Sequence, residues 1–151
     1  MKELIVFFTA ASPLVELRGA IPLAMLVYKF PLIKSFVISV LGNILPILPI
    51  LYFLEGISDF LSKRFLFFER FFKWLFQRTR RKFQDSYLKW GKLALVIFVA
   101  IPLPLTGAWT GSLAAFLFGF KKKEAFLLIS SGVLIAGIIV SFLTVLGVKL
   151  V

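Results

Sequence analysis

The sequence has no cysteine and no histidine among its 151 residues. Without thiols it can form no disulfide, and without imidazole it lacks the usual zinc ligands and the base of a Ser-His-Asp triad. Charge is also scarce, because 17% of the residues are charged and seven of them are acidic. Since no carboxylate cluster replaces the missing groups, we expect no enzyme, no cofactor and no metal site.

Apolar residues, by contrast, make up 60% of the chain, and the mean hydropathy is +1.00. A soluble domain is closer to half apolar and richer in charge. Four apolar stretches, at about 4–28, 35–54, 93–120 and 125–148, are each near or above the length that crosses a bilayer. The composition predicts a multi-pass membrane protein that forms a single membrane domain over residues 1–151.

The stretch from 4 to 28 is apolar but carries Glu16, Arg18, Pro13 and Pro22. An ionisable side chain at membrane depth costs at least about 2.5–3.5 kcal/mol, so it marks a functional site by default. Each proline removes a backbone donor, and a broken backbone survives at that depth only where protein or trapped water covers it. These features predict a re-entrant helical hairpin with a charged elbow inside the membrane.

The stretch from 93 to 120 has the same design, with an apolar run, a Pro-rich elbow and small residues after it. When the chain is shifted by about 91 residues, Pro13 lies near Pro104 and Ser39 near Ser130. We therefore predict an all-α integral membrane fold of two inverted repeats, each a re-entrant hairpin plus one transmembrane helix. The first repeat covers 1–54 (hairpin about 4–28, span about 35–54) and the second covers 93–151 (hairpin about 93–120, span about 125–148).

A hairpin returns the chain to its starting side and a span carries it across, so the two halves would have opposite orientations. This topology places thirteen basic residues (ten at 63–92 and three at 121–123) on one side and four on the other. If both elbow stretches were full spans, the division would be twelve to five. By the positive-inside rule, the basic linker is cytoplasmic in a cell membrane and both termini lie outside.

Residues 55–92 join the repeats and differ from them in composition. Apolar residues, many of them phenylalanine, recur at helical spacing between Ile57 and Phe76, opposite a basic face. This pattern predicts a basic amphipathic interfacial helix, because the charges are too closely spaced for a third spanning helix. The residues expected to contact anionic lipid headgroups are Arg70, Lys73, Arg78, Arg80, Arg81 and Lys82. Nucleic acid is not an expected partner.

The two elbows enter from opposite faces in this topology and can meet near the midplane. Glu16 could then exchange a proton, and Arg18 could grip a phosphate or a carboxylate. The residues predicted for a substrate or proton site are Glu16, Arg18, Gly19, Asn43, Pro104, Thr106, Gly107, Thr110 and Gly111. A structural alternative stays open, in which Glu16 and Arg18 pair only with each other. That pairing needs an irregular backbone, because residues two apart in a helix do not face one another.

Two segments carry a family resemblance. Residues 12–22 are Ser-Pro-Leu-Val-Glu-Leu-Arg-Gly-Ala-Ile-Pro, and residues 102–111 are Pro-Leu-Pro-Leu-Thr-Gly-Ala-Trp-Thr-Gly. Through them the chain resembles the small multidrug export proteins and, more distantly, the DedA and SNARE-associated Golgi membrane proteins. The resemblance implies facing re-entrant elements and, from the DedA side, translocation of lipid or polyprenyl phosphate. It matches Glu16, Arg18 and Gly19 to the first elbow motif, and Pro104, Thr106, Gly107 and Gly111 to the second.

The predicted function is a small transporter or a lipid- or amphiphile-translocating protein, which could be proton-coupled, with its site where the elbows meet. A prediction from another class is a non-transporting, membrane-organising protein that acts through the Phe-rich basic helix. Expected partners are membrane lipids with anionic headgroups, and protons or an amphiphilic substrate. Four membrane elements are few for enclosing a path, so we also expect a homodimer.

Overall fold

The computed structural model describes residues 1–64, 66–81, 86–103 and 106–150. Over these residues the chain is helical and forms no strand, so the all-α prediction is confirmed for them. The helices are α1 (Lys2–Ala11), α2 (Glu16–Pro22) with a π-helical turn after it (Leu23–Val27), α3 (Leu32–Ile44), α4 (Ile47–Arg64), α5 (Leu66–Arg81), α6 (Ser86–Ala100), α7 (Ala108–Leu117) and α8 (Lys122–Leu150).

Two helical segments in the described part are long and apolar enough to cross a bilayer. They are Leu32–Phe60, with a mean hydropathy of 2.2, and Lys122–Gly147, with a mean hydropathy of 2.5. The first consists of α3 and α4, which are separated by a two-residue turn at 45–46. Proline cannot donate the helical hydrogen bond, and the helix is interrupted at Pro46, one of the two prolines that predict a break in this span. α4 then continues to Arg64, so the helix does not end where its apolar character ends.

The other two apolar stretches are broken into short helices. α1 ends at Ala11 and α2 begins at Glu16, and α6 ends at Ala100 and α7 begins at Ala108. Pro22 has no N–H to donate to the carbonyl of Arg18, and α2 passes into the π-helical turn there, where the Tyr28 N–H donates to the Leu23 carbonyl at 3.2 Å. The prolines and small residues of the elbows therefore produce real breaks in the backbone.

The two halves pack in the same way. α1 lies against α3, and α6 lies against α8. Both contacts depend on a glycine, because Gly42 meets the carbonyl of Phe7, and Gly132, 90 residues later, meets the carbonyl of Val96. The short second helices then cross over, so that α2 packs on α8 and α7 packs on α4. The main core lies between the halves and includes Leu17, Ile21, Val40, Ile47, Val99, Ile129 and Val133.

Candidate functional site

Glu16 begins α2 in an unusual backbone conformation. Its φ is 53°, in the left-handed region that side chains other than glycine rarely adopt. Such a residue costs on the order of 1–3 kcal/mol and persists only where the surrounding structure fixes it. The residue is 6% exposed, so the carboxyl group is held inside the protein. A strained, buried acid in an apolar helix is the feature around which the site is built.

Arg18 is the charged partner of this acid. Its Nη2 donates to Glu16 Oε2 at 3.1 Å. The left-handed conformation at Glu16 turns its side chain out of the regular helical direction, which lets residues two apart meet. The pairing that the sequence left open is therefore present. The Arg18 side chain is 22% exposed and lines a cavity next to α2.

The second elbow supplies the other side of the carboxyl group. The backbone N–H of Trp109 donates to Glu16 Oε1 at a long 3.5 Å, with the Ala108 N–H beside it. These are the first N–H groups of α7, which have no partner within the helix and lie at its positive end. Gly107 has a φ of 153°, and a methyl group on it would overlap the Glu16 carboxyl. The second elbow therefore provides N–H donors and space for the Glu16 carboxyl of the first elbow.

Trp109 also ties the elbows together through its side chain. The indole Nε1 donates to the carbonyl of Ala11, the last residue of α1, at 3.0 Å. This bond satisfies a carbonyl that the end of α1 leaves without a helical partner. Sequence reasoning did not find this role. The usable signal is a tryptophan directly after the elbow glycine, because a buried indole N–H needs an acceptor.

Other predicted residues lie near the elbows without pointing at Glu16. The Thr106 hydroxyl bonds within its own loop, to the carbonyls of Ile101 and Leu103. Gly111 allows α7 to approach Val99 of α6. Gly19 lies against the Val15 side chain, which leaves no space for a Cβ. These residues shape the elbows, whereas Glu16, Arg18, Gly107 and Trp109 make the contact between them.

Asn43 is buried and Thr110 is half-buried, and a covered oxygen of each has no hydrogen-bond partner among the described residues. Asn43 is 1% exposed, and Ser39, one turn earlier on α3, is equally buried and unpartnered. Buried polar atoms without a protein partner are rare in native proteins. Asn43 therefore stays a candidate for a cavity-lining residue.

The remaining predicted site residues are only partly described. Arg70 and Lys73 on α5 are exposed, and Lys73 pairs with Glu69 one turn away. Pro104 and Lys82, and the side chains of Arg78, Arg80 and Arg81, lie outside the described part of the chain.

Cavities border these helices at several places. One, of about 670 Å³, is an apolar groove beside Arg18, between α2 and the C-terminal half of α8. Another, of about 520 Å³, lies between α1 and the first elbow and is lined by Ser12 and Val15. A third, of about 380 Å³, has both apolar and charged walls and lies at the start of α8, where Glu55 pairs with Lys122 close to Asp59. Among the described residues no group of acidic side chains is arranged to hold a metal ion.

Comparison with known proteins gives one family. Residues 16–139, which run from Glu16 through the second elbow and into α8, match the family described as "Putative small multi-drug export protein". No curated protein and no solved structure matches the chain. The distant likeness to the DedA proteins stays a prediction.

Proposed function

The chain belongs to this small multi-drug export family, which is a family of membrane transporters, and from that premise we propose where it transports and how. The substrate passes the point where the two elbows meet, at Glu16 and Arg18. Each elbow is the turn of a re-entrant hairpin, and the two hairpins enter from opposite faces of the membrane. The basic segment around α5 then lies on the cytoplasmic side.

Similar features in the two halves support inverted repeats. Positive φ values fall on Glu16 and Gly107, which are 91 residues apart. They also fall on Lys29 and Gly119, just before the two long apolar segments. The swapped packing of α2 on α8 and of α7 on α4 is what a two-fold relation between the halves would give. Opposed repeats with broken helices at their interface are the common plan of transporters.

An ion pair repeats in the same way but with reversed charge. Glu3 of α1 pairs with Lys34 of α3 at 2.7 Å, and Lys92 of α6 pairs with Glu124 of α8 at 2.5 Å. Both pairs join the first helix of an elbow to the long helix of the same half. In the proposed topology they lie at opposite membrane surfaces, where charged side chains reach water.

One observation carries the proposal most directly: the Glu16 carboxyl of the first elbow lies against the first N–H groups of α7 in the second. An ionised Glu16 binds both Arg18 and the positive end of α7, and so holds the elbows together. Protonation removes that charge and weakens both contacts. A proton arriving at Glu16 would therefore release the elbows, and its departure would close them again, which couples protons to substrate movement.

The proposal is tested by substrate-driven proton flux in liposomes that contain the purified protein. We expect Glu16→Gln to abolish the coupled proton movement and Arg18→Gln to abolish substrate flux. The matched controls are Glu69→Gln and Arg64→Gln, which remove the same charges outside the elbows and should leave flux unchanged. Undiminished flux in both elbow variants would overturn the proposal.

The same assay separates this function from a membrane-organising role of α5. The described apolar side chains of α5 are exposed, with Phe67 at 74% and Trp74 at 51%, as an interfacial helix requires. If α5 carries the function, reversing the charges of Arg70 and Lys73 should remove the membrane-organising effect of the protein on the liposomes. Glu16→Gln and Arg18→Gln should then keep the wild-type effect.

A further inference from the structure

We propose that the groove beside Arg18 binds an anionic amphiphile, with its oxyanion head on the guanidinium and one hydrocarbon chain along α8. The inference rests on the proposed function and specifies the chemical class of its substrate. It also predicts that the anion binds together with a proton on Glu16.

The groove has the size and position of a ligand site. Its volume of about 670 Å³ lies within the range of small-molecule pockets. It is bounded by Arg18 and Pro22 of α2, Leu26 of the π-helical turn, Pro102 of the second elbow, and Val140, Leu143, Thr144 and Gly147 of α8. Because both halves contribute to its walls, movement of one half against the other would change the groove.

The sign of the head charge follows from the single charged residue that lines the groove. Arg18 is that residue, and Glu16, although close, is directed at Arg18 and at α7. Of the five N–H donors of the guanidinium, one meets Glu16, which leaves donors for a second oxyanion. A cationic head would meet a positive charge here, so the groove selects anions.

The hydrocarbon chain of the proposed ligand follows from the apolar residues that line the groove. Apart from Arg18 and Thr144 the groove is lined by apolar residues and glycine, and the Thr144 hydroxyl is occupied by the carbonyl of Val140 at 2.7 Å. Leu26 and Leu143, which line it, are 45% and 54% exposed. A small hydrated anion gains nothing from such walls, whereas an alkyl chain can enter sideways from the bilayer and be buried.

Binding of the anion is coupled to protonation of Glu16, because both the anion and ionised Glu16 contact Arg18. Among the described side chains, Arg18 is the charged group that acts on Glu16, and α7 contains no charged residue. The charged residues of α1 and α3 are Lys2, Glu3 and Lys34, and Glu3 pairs with Lys34. On α8, which also packs on α2, Lys122 pairs with Glu55 and Glu124 pairs with Lys92. An anion on Arg18 competes with ionised Glu16, so its binding favours a proton on Glu16, and by reciprocity the proton favours the anion.

The test is binding of tritiated decanesulfonate, which stays charged at every pH used, to the full chain in discs of zwitterionic lipid, with empty discs as background. We expect wild type to bind it more tightly as pH falls. Arg18→Gln should weaken binding by about 10-fold or more, as loss of a charged hydrogen bond implies. Glu16→Gln should do the opposite and bind tightly at all pH values, because nothing then competes for Arg18.

Two further measurements test whether weaker binding results from misfolding and whether the headgroup alone accounts for binding. Leu143→Trp fills the groove without touching the ion pair and should also weaken binding, whereas Arg64→Gln, the same charge change outside the groove, should not. Excess methanesulfonate, which has no chain, should compete poorly. Equal competition by methanesulfonate, equal binding of decyltrimethylammonium, or unchanged binding in Leu143→Trp would overturn the proposal.

Because no gradient is applied, this result is independent of transport. A protein that binds decanesulfonate but moves nothing would refute the proposed function alone. A protein that moves another substrate but does not bind the anion would refute this inference alone.

Discussion

The two elbows lie 91 residues apart, at Glu16 and Gly107, and contribute different chemical groups to the site. At the first elbow the left-handed position is Glu16, whose φ is 53°, and at the second it is Gly107, whose φ is 153°. The first position presents a carboxylate, and the second presents no side chain, which leaves room for that carboxylate beside the N–H groups of α7. Acid and receptor therefore come from separate halves, and changes on either side should be distinguishable.

The largest effect on stability is expected from removing the cation of the first elbow. Arg18→Gln leaves the Glu16 carboxylate buried beside the second elbow alone, and breaking a buried pair in this way costs about 3–5 kcal/mol. Unfolding in mixed micelles measures the loss. The double change Glu16→Gln with Arg18→Gln should recover most of it, because no uncompensated charge remains. If the single variant is as stable as wild type, the α7 N-terminus suffices to hold the acid.

A smaller loss is expected when the second elbow is filled. Gly107→Ala forces a left-handed backbone on alanine and overlaps the Glu16 carboxyl, so we expect a cost of about 2 kcal/mol or more and loss of flux. Gly56→Ala on α4 is the control, since a methyl group there meets nothing within 4 Å and should stabilise the helix slightly. Wild-type flux in Gly107→Ala would show that the elbows do not need this close contact.

The glycines that join each elbow to its long helix test the likeness of the halves. Gly42→Ala and Gly132→Ala each push a methyl group against a backbone carbonyl, and each should cost about 1–3 kcal/mol. Gly147→Ala, which meets nothing within 4 Å, should have no such cost. Melting temperatures of the three variants in detergent decide the point. A loss in only one of the first two would show that the halves are packed differently.

The smallest effect concerns the surface pair of the first half. The hydrogen bond from Lys34 lowers the pKa of Glu3 from its ordinary value of 4.5 to about 2. A lowered pKa contributes stability that is present above pH 4.5 and is lost as pH falls through about 2. Wild type should therefore melt slightly above Glu3→Gln at neutral pH, and the difference should vanish towards pH 2. Added salt should shrink it too, because the pair is exposed.

The sequence predicts the architecture better than it predicts the details of the site. Long apolar segments and Pro-rich elbows set where helices run and break, so the two long segments and both breaks lie where hydropathy and Pro13, Pro22 and Pro102 indicate. The continuation of α4 beyond Glu55 does not follow from hydropathy, because the polarity changes there without any helix-breaking residue except Gly56. The residue at which a helix ends depends more on helix-breaking residues than on a change in polarity.

Within the site, the predicted repeats lead us to expect that Glu16 approaches the second elbow, but they do not predict which backbone groups it meets. Which backbone N–H meets the carboxyl depends on the φ of Glu16 and on the rotation of α7 about its axis. Neither angle can be predicted from residue types. For the same reason the Thr106 hydroxyl, a good candidate by chemistry, is used within its own loop instead. Short local hydrogen bonds of threonine compete with longer-range ones and often win.

The central claim is that the two halves enter the membrane from opposite faces and meet at Glu16. The chain has no native cysteine, so single cysteines can be placed at Lys29 and Lys121, which are exposed and precede the two long helices. A membrane-impermeant thiol reagent applied to sealed vesicles of known orientation measures their accessibility. The account predicts that position 29 is labelled from outside the cell and position 121 only from the cytoplasmic face. Labelling of both positions from the same face would contradict it.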